Sequence, residues 1–197
     1  MDIYDSSLQS WTTASLTIAR YNLGAASSKN IVVFAGGQAS TTHYNRVDIY
    51  DINANTWTTS TISIARSQMG SASVGDLVMF AGGNDGSGTQ YSKVDIYNVV
   101  TQAWSTAALS GIRNQVRAVT VGTLVVFAGG AGSSGATNAV DIYHSSTNTW
   151  STAQLSQARK SPGIAPSILL IHVISWSCGR KISYICRWSW LKLYSLR

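Results

Sequence analysis

Residues 77–104, LVMFAGGNDGSGTQYSKVDIYNVVTQAW, decide the fold of this chain, because their landmarks recur along it at a nearly constant period. A Phe-Ala-Gly-Gly sequence ends an apolar run, and an Asp-Ile-Tyr sequence follows after a polar loop. A Trp stands 9 residues after that Asp, and an Arg, here Arg113, stands 9 residues after the Trp. This order of landmarks defines one repeat.

The same landmarks occur in four registers, separated by 46, 47 and 46 residues. The Asp positions are Asp2, Asp48, Asp95 and Asp141, the Trp positions are Trp11, Trp57, Trp104 and Trp150, and the Arg positions are Arg20, Arg66, Arg113 and Arg159. The Phe-Ala-Gly-Gly sequence occurs at 34–37, 80–83 and 127–130. A period of about 40–50 residues is typical of an array in which each unit forms one four-stranded sheet.

Within one unit, the sequence predicts four short strands. A small-residue strand at 70–74 is followed by an apolar strand at 77–81, then by strands at 94–97 and from Trp104 onwards. Their β-branched and aromatic content and their turn spacing are typical of an antiparallel sheet. The apolar strand has hydrophobic residues on both faces, so a neighbouring sheet has to cover each face. We therefore expect an all-β array of stacked four-stranded antiparallel blades.

The order of di-Gly, Tyr, Trp and Arg at these spacings resembles the kelch motif of β-propellers. The resemblance covers residues 1–165 and implies a fragment of a kelch-type propeller, because kelch-like propellers usually close with more blades than these. It implies a half-blade at 1–15, blades at 20–60, 66–107 and 113–153, and a partial blade from Arg159 onwards.

Residues 166–197 depart from the repeat and form an anomalous, irregular tail in this interpretation. Each Trp codon becomes a Gly codon when it is read one nucleotide later. In that shifted frame Tyr184–Trp190 permits Ile-Phe-Ala-Gly-Gly-Ala-Gly, close to the repeat. We hypothesise that the tail contains a non-native insert and a shifted reading frame, which sequencing of the gene would decide. The alternative is a genuine C-terminal extension.

Charge and hydrophobicity argue against nucleic acid and membrane partners. The net charge is +6, yet residues 1–159 carry 8 basic residues and 8 Asp, so the excess lies in the tail. Phosphate binding needs a basic face on the folded part. The apolar stretch 167–176 is too short to span a bilayer. No signal peptide is visible, and we favour the cytoplasm only slightly.

Catalytic and metal-binding patterns are not found in the repeats. His43, His144 and His172 show no metal-ligand spacing, and both Cys residues lie in the tail. The recurring Asp residues could form an acidic ring for acid–base chemistry. Their presence in every unit instead favours pairing with the recurring Arg. We therefore predict no catalytic residue, metal or cofactor.

The loop between the di-Gly and the third strand is where the repeats differ in length and chemistry. The spacing from the second Gly to the Val before Asp-Ile-Tyr is 10, 11 and 10 residues. Loops on a rigid scaffold commonly carry recognition. The candidate binding residues are His43, Tyr44, Asn45, Arg46, Asp85, Gln90, Tyr91 and Lys93. The alternative for Tyr44 and Tyr91, which stand at equivalent positions, is a role in blade packing.

The function expected from these features is a non-catalytic kelch-repeat scaffold that binds a protein partner through its inter-strand loops. One alternative is a fragment of a kelch-like propeller enzyme, such as an oxidase or a sugar-processing enzyme. Copper oxidases of this kind need Tyr, Cys and His ligands, which cannot be placed in this sequence. The other alternative is a truncated product without a function of its own.

Overall fold

The N-terminal residues form a two-stranded antiparallel sheet, β1 (Asp2–Asp5) with β2 (Ser10–Thr13). The computed structural model describes residues 1–165 and the short strand at 172–174. The shifted-frame hypothesis for the tail therefore falls almost entirely outside the described residues.

Three four-stranded antiparallel sheets follow, which we call the first, second and third blades. The first contains β3 (Gly24–Ser28), β4 (Ile31–Ala35), β5 (Gln38–Ala39), β6 (Thr42–His43), β7 (Arg46–Asp51) and β8 (Thr56–Thr61). Strands β3, β4, β7 and β8 pair in that order, and β5 and β6 form a small hairpin in the loop between β4 and β7. The second contains β9 (Gly70–Val74), β10 (Leu77–Ala81), β11 (Lys93–Asn98) and β12 (Trp104–Ala108), again paired in chain order.

The third blade has longer outer strands than the first two. It contains β13 (Arg117–Val121), β14 (Leu124–Ala128), β15 (Ala131–Gly132), β16 (Gly135–His144) and β17 (Thr149–Arg159). Strands β13, β14, β16 and β17 pair in that order, and β15 pairs with the start of β16. A separate pair follows, β18 (Gly163–Ala165) with β19 (His172–Ile174).

The prediction of an all-β fold built from four-stranded antiparallel blades is confirmed. The register between the second and third strands is also the same in every blade. The repeat Phe lies opposite the repeat Asp in each case, as Phe34 opposite Asp48 and Phe80 opposite Asp95. Identical spacing in the sequence therefore gives identical pairing in the sheets.

Hydrophobic side chains fill the seams between blades, as the two-faced apolar strands require. One cluster joins Val33 and Val47 of the first blade to Phe80 of the second. Another joins Met79 of the second blade to Phe127 of the third. Burial of each such side chain contributes about 1.5–3 kcal/mol, so the central strands gain stability from both faces.

Aromatic side chains of the repeat lie side by side on one face of each blade. The ring centroids of Tyr97 and Trp104 are 4.9 Å apart, and those of Tyr50 and Trp57 are 4.8 Å apart. The indole Nε1 of Trp104 also donates to the hydroxyl of Ser60 at 3.0 Å, across the seam to the first blade. Trp104 thus supplies apolar area within its blade and a polar contact beyond it.

Because strand direction alternates, each blade has two distinct ends. The loop end contains the loops between second and third strands, at 36–45, 82–92 and 129–134, and the links between blades, at 62–69 and 109–116. The turn end contains the short connections at 29–30, 52–55, 75–76, 99–103, 122–123 and 145–148. The candidate binding residues all belong to the loop end.

A buried ion pair joins the repeat Arg to the repeat Asp within each blade. The pairs are Arg20–Asp48 at 2.7 Å, Arg66–Asp95 at 2.6 Å, and Arg113–Asp141. All six side chains are almost completely inaccessible to solvent. The prediction that the recurring Asp pairs with the recurring Arg is confirmed.

Hydrogen bonds complete the coordination of both charges, as the second blade illustrates. The carboxylate of Asp95 also accepts from the backbone N–H of Ser63 at 3.0 Å and from its hydroxyl at 3.1 Å. The guanidinium of Arg66 also donates to the carbonyls of Gly82, at 2.8 Å, and Phe80, at 3.3 Å. Buried charges are tolerated only when paired and bonded in this way.

The same balance shows in the pKa of Asp48 in the first blade. Burial alone would raise the pKa of Asp48, but hydrogen bonds from Thr17 and Arg20, with the charge of Arg20, outweigh it and leave that pKa lowered. This carboxylate therefore stays ionised at neutral pH and stabilises the fold until the medium is strongly acidic.

The paired glycines connect each blade to the next one. The N–H of Gly37 donates to the carbonyl of Arg66 at 2.9 Å, and that of Gly83 donates to the carbonyl of Arg113 at 2.9 Å. Gly82 has a φ of +69°, and a Cβ on it would collide with the same carbonyl of Arg113. Here glycine is required both by the backbone conformation and by the close approach of the next blade.

We expect Gly82→Ala to destabilise the array far more than Gly75→Ala. Both glycines have positive φ, +69° and +55°, but a Cβ on Gly75 meets no atom within 4 Å. Gly75→Ala should therefore cost only the conformational term, about 1–2 kcal/mol, and the collision should add about 1–3 kcal/mol at Gly82. Urea unfolding followed by Trp fluorescence measures both. Equal costs would contradict the proposed contact between blades.

We also expect Asp95→Asn to cost about 3–5 kcal/mol, because it leaves the Arg66 guanidinium buried without a counter-charge. The matched control is Asp76→Asn, which breaks the exposed Lys29–Asp76 pair of 2.8 Å at the turn end. An exposed pair of this kind contributes about 0–1 kcal/mol. Similar unfolding free energies for the two variants would show that the buried pair is not a stability element.

Candidate functional site

The structure places the eight candidate residues in two adjacent groups at the loop end. The group in the first blade is His43, Tyr44, Asn45 and Arg46, and the group in the second blade is Asp85, Gln90, Tyr91 and Lys93. The groups meet where the ring of His43 contacts Gly86, at the tip of the second loop. Stacking of the blades therefore joins two separate loops into one surface.

In the first blade, the hairpin β5–β6 gives the loop its shape. Gln38 pairs with His43 in this hairpin, and the backbone N–H of Tyr44 donates to the carbonyl of Gly37 at 2.9 Å. Arg46 reaches back to donate to the hydroxyl of Thr17 at 3.1 Å. Asn45 is exposed. This loop thus presents an amide and a guanidinium on a defined backbone.

In the second blade, Asp85 organises the loop. Its carboxylate accepts from the N–H and hydroxyl of Ser87, at 2.9 and 2.8 Å, from the N–H of Thr89 at 3.2 Å, and from the phenol of Tyr91 at 3.0 Å. Together these hydrogen bonds lower the pKa of Asp85 to about 2, and the bond from the Ser87 hydroxyl contributes most. Burial is the main cause that raises the pKa of the Tyr91 phenol, and its hydrogen bond to Asp85 raises it further. Asp85 and Tyr91 are therefore engaged within their own loop.

Tyr44 and Tyr91 also tie their blades to the next ones through the backbone. The N–H of Arg66 donates to the carbonyl of Tyr44 at 3.1 Å, and the N–H of Arg113 donates to the carbonyl of Tyr91 at 3.2 Å. The same bond recurs at equivalent positions, and it uses the backbone of the two tyrosines, so a packing role for their side chains stays a prediction. Both side chains are half-buried.

Lys93 and Gln90 occupy the edges of the second loop. The ammonium of Lys93, at the start of β11, lies 3.4 Å from the hydroxyl of Thr106 on the neighbouring strand. Gln90 pairs with Asn84 across the base of the loop, and its buried Oε1 has no hydrogen-bond partner among the described residues. Lys93 thus adds a second positive charge to this surface beside Arg46.

A cluster of side-chain amides beside these loops was not predicted from the sequence. The Oε1 of Gln68 accepts from the amides of Asn84 at 3.1 Å, Asn114 at 3.3 Å and Gln115 at 3.4 Å. The buried Oδ1 of Asn114 has no partner within the described part of the chain. A signal was available, because the residue two positions after each repeat Arg is polar in every unit. Sequence reasoning missed it because it searched only the loops that vary in length.

The site offers hydrogen bonding and charge rather than reactive groups. The recurring carboxylates are engaged by Arg and hydroxyl groups, as described above. Residues 1–165 contain no group of three or more His, Cys, Asp or Glu placed to hold a metal ion. No helix in the part of the chain that the structure describes is long and apolar enough to cross a membrane.

Comparison with known families identifies two of the blades. Residues 19–61 and 65–108 each match the model of the Kelch motif. Each match begins just before a repeat Arg, Arg20 or Arg66, and ends at the close of the fourth strand of that blade. A search of curated proteins found no match to the chain.

We expect Tyr91→Phe to loosen the second loop without unfolding the blade, because it removes only the bond to Asp85. Amide hydrogen exchange should accelerate at Ser87 and Thr89. The matched control is Tyr50→Phe, which removes the 2.9 Å bond to Asn55 at the turn end and should leave residues 84–92 unchanged.

The pKa of Asp85 gives the same prediction a pH dependence. A carboxylate whose pKa is lowered on folding stabilises the structure above its unfolded value of about 3.9, and that contribution is lost as the pH falls through the folded value, about 2. The exchange protection of Thr89 should therefore be retained at pH 5 and decline between about pH 4 and 2. Protection that is already lost at pH 5 would contradict the role of Asp85.

Proposed function

Since the chain is a kelch-repeat protein, we propose that it is a non-catalytic scaffold that binds a protein partner through the surface at its loop end. Kelch repeats generally mediate protein–protein interaction. The proposal concerns where on this array the partner binds and which residues it contacts.

The proposal rests on one observation: the residues that recur in every blade have structural roles, whereas the loops that differ between blades do not share one common role. The repeated Arg and Asp are buried and paired with each other within each blade, and the di-Gly bonds to the next blade, so these residues are not available to a partner. The loops at 38–46 and 84–93 join that network through their backbone carbonyls, as at Tyr44 and Tyr91, and they differ from each other in length and chemistry. Variable loops on a rigid frame are where recognition usually occurs.

Within these loops, the side chains fall into two kinds. Tyr44, Tyr91 and Asp85 are engaged in blade contacts or in the loop itself, so we assign them the task of holding the surface in shape. Asn45, Arg46 and Lys93 carry their polar groups at the rim of the surface, and we assign them direct contact with the partner. A preorganised loop lowers the entropy lost on binding.

A pair of matched double variants tests the proposal. We expect Asn45→Ala/Lys93→Ala to lose the proteins that cross-link to the purified wild-type chain in cell extract, because it removes two contacts at the loop end. The control, Asn53→Ala/Lys29→Ala, removes the same residue types at the turn end, where both are exposed, and should keep those proteins. Quantitative mass spectrometry compares the cross-linked sets.

Thermal melting keeps the result interpretable. Both double variants should melt within a few degrees of the wild type, because exposed substitutions usually change stability by less than about 0.5 kcal/mol. If both variants retain the same cross-linked proteins, the loop end is not the binding surface. If only the turn-end variant loses them, the partner binds at the opposite end.

A further inference from the structure

Two of the sheets are halves of a blade, and the first of them is β1–β2, which we call the N-terminal half-blade. It has the register of a third and a fourth strand, because Tyr4 lies opposite Trp11 as Tyr50 lies opposite Trp57 in the first blade. In a complete blade the second strand pairs with the other edge of the third strand. In the N-terminal half-blade that edge belongs to β1, and it pairs with no strand among the described residues.

The other is β18–β19, which we call the C-terminal half-blade, and it has the register of a first and a second strand. Gly163 and Ile174, the fourth and fifteenth residues after Arg159, lie opposite each other. The equivalent residues of the first blade, Gly24 and Ala35, are paired in the same way. The backbone pairing of the repeat is thus retained as far as Ile174. Between them, the two half-blades contain the four strands of one blade.

The half-blades also carry one Asp and one Arg that the buried ion pairs of the complete blades do not use. Each of those pairs joins the Arg before a first strand to the Asp of the third strand in the same blade. Asp2 on β1 and Arg159 before β18 have no such pair within the described residues. Asp2 is exposed, and the guanidinium of Arg159 donates to the amide of Gln157 at 3.2 Å. A blade formed from both half-blades would unite these two charges in the pair that every complete blade has.

The aromatic pair of the N-terminal half-blade is exposed, unlike the same pair in the complete blades. Tyr4 is 50% exposed and Trp11 is 69% exposed, whereas Tyr97 and Tyr143 are 6% and 3% exposed. In the complete blades the repeat Phe of the second strand also lies beside the Trp, with ring centroids 5.9–6.4 Å apart. Aromatic side chains contribute much of the apolar area that a core buries. The N-terminal half-blade therefore gains most from a partner that supplies a second strand.

Within one chain, the two half-blades do not meet through their strands. Among the described residues β1 pairs with β2 alone, and β18 pairs with β19 alone. The C-terminal half-blade is instead anchored to the third blade, because the N–H of Gly130 donates to the carbonyl of Arg159 at 2.8 Å and β18 contacts β13. A second copy of the chain has the missing strands in the right order. It also has an unused Arg to set against Asp2.

We propose that two copies of the chain assemble head to tail, with β18–β19 of each copy completing β1–β2 of the other. The new contact is an antiparallel pairing of β19 with β1, in which Val173 lies opposite Asp2 as Phe34 lies opposite Asp48 in the first blade. A head-to-tail interface gives a closed ring when its rotation returns to the start. Two copies supply six complete and two composite blades, within the range of about 4–8 blades in closed propellers. This assembly is independent of the proposed function, because it uses none of the eight candidate residues.

Charge reversal at the two unused residues tests the assembly. Light scattering during size-exclusion chromatography should show that the full chain forms a dimer. In Asp2→Arg alone, and in Arg159→Asp alone, both junctions of a dimer carry like charges, so each variant should dimerise at least tenfold more weakly than the wild type. An equimolar mixture of the two variants should recover the dimer, because one junction then has the opposite charges in reversed positions and the other is wild type.

The matched control is Lys160→Asp, which makes the same change of charge at the exposed neighbour of Arg159 and should dimerise like the wild type. Thermal melting at a concentration where all the chains are monomeric separates assembly from folding. All three variants should then melt within a few degrees of the wild type, because exposed or weakly bonded side chains are replaced.

Hydrogen exchange at β1 shows whether the dimer uses the predicted edge. Met1 and Ala14 exchange two hydrogen bonds of 3.0 Å between β1 and β2. Because antiparallel strands alternate between inward and outward N–H groups, the N–H of Tyr4 points to the free edge of β1. Its exchange should slow at least tenfold in the dimer, whereas that of Asn53 in the exposed turn 52–55 should not change.

Four results would each overturn the proposal. A wild-type chain that stays monomeric at every concentration would show closure within one chain or none. Dimers that both charge reversals leave intact, or that the mixture of variants does not restore, would show another interface. Unchanged exchange at Tyr4 in the dimer would show the same. Species that grow beyond a dimer with concentration would exclude a ring of two copies.

Discussion

The buried Arg–Asp pair is the interaction on which the rest of the array depends. Moving two charges out of water costs several kcal/mol per ion, and their attraction repays this only when further hydrogen bonds complete both groups. In each blade the carboxylate obtains those bonds from the link. The guanidinium groups of Arg20 and Arg66 obtain them from the end of the second strand, whereas the buried Nε of Arg113 has no partner among the described residues. The pair therefore selects one arrangement of link, second strand and third strand rather than simply adding stability.

This constraint explains which spacings are constant and which is not. The 15 residues from the repeat Arg to the Ala of Phe-Ala-Gly-Gly cannot change, because the guanidinium has to reach the carbonyls beside that Ala. The second Gly of the di-Gly then fixes the position of the next blade, because its N–H donates to the backbone carbonyl of the repeat Arg of that blade. The loop that follows the di-Gly is outside both sets of bonds. It can therefore form a hairpin in the first blade and an Asp85-centred turn in the second.

The fold could be predicted from the sequence because its determinants are periodic, whereas the site is built from residues that are not. The co-occurrence of Arg66 and Asp95 at fixed spacing in every unit predicts their pairing. By contrast, nothing in the sequence shows that Asp85 bonds to Tyr91 or that His43 touches Gly86, because these contacts depend on turn geometry and blade stacking. The net charge of residues 1–159 is zero and gives no sign that Arg46 and Lys93 lie at the loop end while Asp51 and Asp76 lie at the turn end. Only the direction of the strands decides at which end each charge lies.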